Sequence, residues 1–281
     1  MLIIEKTPTQ LISHNVVDET YPQYSALTEY AVGTYVLFNN NIYKNKEVCT
    51  GKQPDINPLF WEDNGAINSL KWDDKFINSQ TAKIGSEDLI IILKPYVFNS
   101  VSFFNLDAES VEIVIGEYVQ TINLVSIQIS NWTDYFFNDI DFKKDVFVQL
   151  PIFFNVEVTI KIKATSDKAV GVIFFGKTQD SGCTELAPSV GYDDYSTFNR
   201  NESGLISIKE GRYSKRASLK VTIPINAADS ILKKMYRLRN KMNVFVGNGY
   251  EGMLLLGFPR NFEETYVNDV SGEYNLEIEG V

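Results

Sequence analysis

LIIIL at 89–93, SVSFF at 100–104, VEIVI at 111–115, VSIQI at 125–129, VEVTIKI at 156–162 and GVIFF at 171–175 are six short runs rich in β-branched and aromatic residues. Several alternate polar with apolar positions, and Asn, Asp, Gly or Pro residues separate them, as turns between half-buried strands require. Short strands at this spacing predict two packed antiparallel sheets over residues 85–180. Beyond them the texture changes. RASLKVTI at 216–223 reads as an alternating strand, and Asn226 is placed to cap a helix with Asp229 at the favourable third position. Ile231, Leu232, Met235, Leu238 and Met242 recur at helical spacing, leaving Lys234, Arg237 and Lys241 on another face. Strands then follow at 244–246, 253–258, 262–266 and 274–280, so residues 181–281 form an α+β domain.

Upstream, residues 24–65 carry a different pattern, YSALTEYAVGTYVLFNNNIYKNKEVCTGKQPDINPLFWEDNG. Tyr35-Val36-Leu37-Phe38 and Ile42-Tyr43-Lys44 read as two antiparallel strands joined by a tight turn at Asn39-Asn40-Asn41. Gly51-Lys52-Gln53-Pro54 and Pro58 punctuate a loop before Phe60-Trp61 closes the unit. So small a domain buries little, and large rings are its main source of apolar area, which gives Tyr35, Tyr43 and Trp61 a core role. The expected architecture is mainly β and multi-domain. It comprises an N-terminal arm (1–20), a small three-stranded β module (21–66), a linker docked through Trp72 and Phe76 (67–84), a β-sandwich (85–180) and a C-terminal α+β assembly domain (181–281).

The chain has 281 residues, 44% of them hydrophobic, so it has the apolar content for two or three cores. The opening Met1-Leu2-Ile3-Ile4-Glu5-Lys6 lacks the basic stretch and long apolar run of a secretion signal, and no window has the length of a transmembrane helix. Synthesis in a cytoplasm, with Cys49 and Cys183 reduced, is the expectation; Asn131-Trp132-Thr133 is then not a glycosylation site. A net charge of −10 argues against a general nucleic-acid binder. The charge is uneven, however. Residues 209–241 hold ten basic residues (Lys209, Arg212, Lys215, Arg216, Lys220, Lys233, Lys234, Arg237, Arg239, Lys241) against Glu210 and Asp229 alone. Two readings stand: a solvated helix and strand face, or a positive patch that meets an acidic surface on a neighbouring subunit.

Catalysis finds little support in the residues. His14 is the single histidine, which excludes paired-histidine metal sites, and no nucleophile-elbow, P-loop or dinucleotide glycine pattern occurs. Carboxylate chemistry would have to use Asp73-Asp74, Asp139 with Asp141, Asp193-Asp194 or Glu263-Glu264. Neighbours on a strand point to opposite faces, so most of these pairs cannot serve one substrate. Asp139-Ile140-Asp141 is at most a fragment of a calcium loop, and no cofactor is expected.

Residues 24–65 resemble the chitin-binding-like carbohydrate-binding modules of families 5 and 12, through Tyr30-Ala31-Val32-Gly33, Val36, Tyr43 and Trp61 with Gly65. The resemblance implies either a glycan contact at Tyr35, Tyr43 and Trp61 or the same fold kept as a docking unit. The loop at Gly51-Lys52-Gln53-Pro54, where such modules carry a stacking aromatic, has none. The segment 85–180 resembles a galactose-binding-like sandwich, a jelly-roll variant. The order of the small module, Lys71-Trp72-Asp73-Asp74, the sandwich, 189–196, 213–216 and 276–280 is similar to a family of tailed-bacteriophage structural proteins. That resemblance implies a virion component of the tail, baseplate or fibre-attachment region, partnered by copies of itself and other tail proteins. The candidate contact is Lys209, Arg212, Lys215, Arg216, Lys233, Lys234, Arg237 and Lys241, with residues 1–21 extending onto an adjacent subunit. The alternative is a receptor-recognition protein holding host surface polysaccharide. Neither reading involves nucleic acid or membrane insertion.

Overall fold

The computed structural model describes all residues except 75, 77, 127–131, 133–140, 186, 187, 201, 202, 212 and 248–250, with the backbone alone at 126, 141 and 251. The fold is mainly β and multi-domain, built from antiparallel sheets with a short C-terminal helix. The sandwich forms as the alternation predicts. Leu89–Pro95, Ser110–Ile115 and Val158–Lys163 each bury every second residue, and they pair in one five-stranded sheet with Tyr118–Asn123 and Thr9–His14 at its edges. Its inner side chains, among them Ile91, Ile113 and Ile160, pack on Val101, Phe103, Ile173 and Phe175 of the facing sheet. Lys168–Asp180 is buried over its first nine residues without alternation, because it is covered on both faces.

The facing sheet does not stop at the sandwich. It runs through eleven strands, in the order Val146–Phe154, Val97–Asp107, Lys168–Asp180, Leu2–Lys6, Asn243–Val246, Leu254–Tyr266, Ser271–Gly280, Tyr213–Pro224 and Cys183–Thr184, with Ser189–Asp194 also on Tyr213–Pro224 and Thr81–Lys83 on Lys168–Asp180. The N-terminal strand is the joint. Leu2–Lys6 pairs antiparallel with Lys168–Asp180 on one side and Asn243–Val246 on the other. Ile3 enters the core beneath the C-terminal helix, while Ile4 enters a separate cluster with Phe104, Phe174 and Leu256. The expected extending arm is therefore corrected. Residues 2–6 fill the gap between two strands of their own chain, where both backbone edges are satisfied and two isoleucines are fully buried. His14 ends the edge strand Thr9–His14 and is exposed.

Further local differences follow from packing. Residues 68–73 form a 3-10 turn that drives Trp72 into the sandwich core, its Nε1 donating to the Ser69 carbonyl at 3.0 Å, while Phe76 stays partly exposed. The 3-10 turn Ile225–Ala227 precedes the helix Ala228–Leu238, so Asn226 lies inside that turn and no side chain caps the helix. Strands expected at 253–258 and 262–266 are one, Leu254–Tyr266, because a bulge at Pro259–Asn261 absorbs the proline. Of the run at 125–129, Val125–Ser126 pairs with Asp141–Phe142 outside the sandwich, and 127–129 lie outside the described residues.

The small module has its three strands, Tyr35–Phe38, Asn41–Asn45 and Trp61–Ala66, in antiparallel order. Asn39 and Asn40 both take positive φ (51° and 62°), the primed turn that a two-residue hairpin favours. Both cysteines are free, Cys49 in the module core and Cys183 exposed at the sheet edge.

Candidate assembly surface

The module's rings separate into core and surface. Trp61 is 2% exposed, donates from Nε1 to the Lys52 carbonyl at 2.8 Å and meets Tyr30 edge-on. Tyr43 is also buried in that core. Neither presents a face to a sugar ring, which corrects the glycan assignment for these two. Tyr35 is half-buried, stacked on Tyr21 at 5.3 Å, with the Lys44 ammonium over its ring.

The basic stretch is scattered over the C-terminal layer, and five of its cations are paired within the chain among the described residues. Lys215 pairs with Asp145, Arg216 with Asp193 (3.2 Å), Lys220 with Glu185 and Glu273, and Arg237 and Lys241 with Glu5 (2.8 and 3.4 Å). Arg212 lies outside the described residues. Lys209, Lys233 and Arg239 are exposed and in no ion pair among the described residues. Lys234 is a special case. It donates to Ser181 Oγ at 2.8 Å, and burial together with the nearby Arg237 charge pushes its ammonium down to about 8. Ser181 is buried, its carbonyl accepts from Tyr274 Oη at 2.6 Å, and its amide donates to the Met1 carbonyl. A buried serine beside a lysine of lowered basicity suggests a catalytic pair, yet Ser181 is shut away from any substrate.

Among the described residues, none of the carboxylate pairs converges on a shared site. Asp73 pairs with Lys6, whereas burial pushes the Asp74 carboxyl up. Asp194 accepts from the Ser196 amide while Asp193 turns to Arg216. Burial and the nearby Asp229 charge push the Glu264 carboxyl up, and neither of its oxygens has a partner. Asp139 lies outside the described residues, as does the side chain of Asp141. No group of three or more metal-ligating side chains occurs among the described residues.

What the sequence reading missed lies in residues 189–213. Val190, Tyr192, Tyr195, Phe198, Leu205, Ile206, Ile208 and Tyr213 are all strongly exposed. The edge strand Ser189–Asp194 carries the first of them. Among the described residues, Thr197–Arg200 and Ile206–Lys209 form a hairpin paired only with itself, and every residue of both strands is exposed. The alternation in Leu205-Ile206-Ser207-Ile208-Lys209 signals a strand with one apolar face, but nothing in sequence shows that the face goes uncovered. Beside the hairpin root, a groove of about 550 Å³ crosses the outer face of the sheet. Small residues (Ser189, Gly191, Ser218) line it, with Tyr195, Arg216, Arg260, Glu277 and Glu279 around them. Arg260 pairs with Glu279, whereas Glu277 has no ion pair among the described residues.

No family model matches this chain, and no curated protein is found as a relative.

Proposed function

We propose that this protein is a non-enzymatic structural component of a bacteriophage tail, which assembles with copies of itself and with neighbouring virion proteins through its C-terminal domain. The observation that carries the assembly role is the set of exposed apolar side chains Val190, Tyr192, Tyr195, Phe198, Ile206, Ile208 and Tyr213. A two-stranded hairpin alone is marginal in water. A contiguous apolar patch is an interaction site when it lies on an ordered surface. Here Tyr192 and Tyr213 pack edge-to-face at 6.3 Å and fix part of this set in place. The place in a virion tail rests on the motif order described from sequence.

The test is light scattering on purified protein over a range of concentrations, with and without the hairpin (residues 197–209 replaced by a short glycine linker). The full chain should form a defined oligomer, and the deletion should leave a folded protein that assembles far more weakly. A full chain that stays monomeric, or a deletion that assembles equally well, would refute the role of these side chains.

A further inference from the structure

The C-terminal layer presents unlike surfaces on its two sides. On one side the helix Ala228–Leu238 covers the sheet, burying Ile231, Met235 and Leu238 against Leu219, Leu276 and Ile278. Its outer stripe is Lys233, Tyr236 and Arg237, spaced to share one helix face. Tyr236 is 62% exposed, a large ring on the same helix face as Lys233 and Arg237. On the other side, alternation along Tyr213–Pro224 and Ser271–Gly280 turns Arg216, Ser218, Glu277 and Glu279 outward, where they line the groove.

These two surfaces complement each other. The groove is hollow because Ser189, Gly191 and Ser218 put almost no side-chain volume into it, and its volume of about 550 Å³ admits an aromatic side chain with its neighbours. Of its three carboxylates, Glu277 is the one not committed to an arginine of the same chain. Of the stripe's two cations, Lys233 is the one not committed to Glu5. A cation that is unpaired among the described residues and flanks an exposed ring therefore matches an anion, likewise unpaired, that flanks a hollow, and Tyr and Arg side chains are the usual anchors of protein interfaces.

We infer that the groove is the seat for the helix stripe of a second copy of this chain, with Tyr236 entering the hollow and Lys233 meeting Glu277. Because the two surfaces lie on opposite sides of one layer, the contact is head-to-tail and repeats from copy to copy, generating a ring or a helical stack. This inference rests on the assembly reading above and adds its geometry.

Charge reversal tests it. Lys233→Glu and Glu277→Lys should each weaken self-association roughly tenfold, by placing like charges together, and the double variant should recover most of that loss. All three keep exposed positions, so circular dichroism should show unchanged folds. Independently, Tyr236→Cys with Ser218→Cys in a Cys183→Ser background should give disulfide-linked multimers on oxidation that neither single cysteine gives. An oligomer indifferent to both reversals, or weakened by each without rescue in the double and without cross-linking, would overturn this contact while leaving the assembly reading intact. A wild-type chain that never associates would overturn both.

Discussion

Lys234 shows how a single position can carry a sign that the charge pattern hides. In the sequence it is one of ten cations; in the fold its ammonium is partly desolvated against Ser181, near Arg237. The unfolded chain keeps its proton up to the ordinary value of 10.5, whereas the native chain releases it near 8. Between those values the unfolded state binds more protons, so this group's contribution to stability rises with pH. Below about pH 8 both states are charged and the full cost of burying the ammonium is present. The melting temperature of the wild type, measured against Lys234→Met, should therefore shift in favour of the wild type from pH 8 to pH 10. Subtracting the variant cancels the buried Tyr274 phenol, whose ionisation is also displaced, upward by burial. A pH-independent difference would mean that the ammonium keeps its ordinary basicity.

Among the elements, Leu2–Lys6 has the largest consequence for its length. Five residues close the gap between Lys168–Asp180 and Asn243–Val246. The close approach is set by Gly176, opposite Lys6 in the ladder. A Cβ there would collide with Ile4 Cγ2 and stand 2.5 Å from the Glu5 carbonyl oxygen, so backbone must move. Gly176→Ala should consequently destabilise the protein by about 1–3 kcal/mol, the usual range for overpacking a close contact, in urea unfolding. An effect within error would show that the N-terminal strand shifts freely, contrary to its pairing on both sides. The helix illustrates the opposite case. Its apolar spacing at Ile231, Met235 and Leu238 is fully legible in sequence and is what the core uses, while its start is not, because the preceding 3-10 turn takes the residues that a cap would occupy.

At the scale of the whole molecule, a sheet shared by the sandwich and the C-terminal segment couples their stabilities, whereas the small module keeps a core of its own around Tyr30, Val36, Tyr43, Cys49 and Trp61. Calorimetry should show one principal transition for the two large parts and a separate, smaller one for the module. Trp61→Ala should move the smaller transition alone; two distinct transitions for the large parts would show that the shared sheet does not couple them. The sequence by itself determined the β class, the alternating strands of the sandwich, the Asn39-Asn40 turn and the buried helix face, since periodicity and turn chemistry are local properties. It also marked Tyr35, Tyr43 and Trp61 as the rings so small a module must bury, of which Tyr43 and Trp61 are buried and Tyr35 only half-buried. Only the tertiary structure decided that the first residues complete a sheet between distant strands, that five cations of the basic stretch pair with carboxylates far away in sequence, and that Val190, Tyr192, Phe198, Ile206 and Ile208 stand exposed. Pairing partners, ion-pair partners and exposure are relations between residues distant along the chain, which no local pattern encodes.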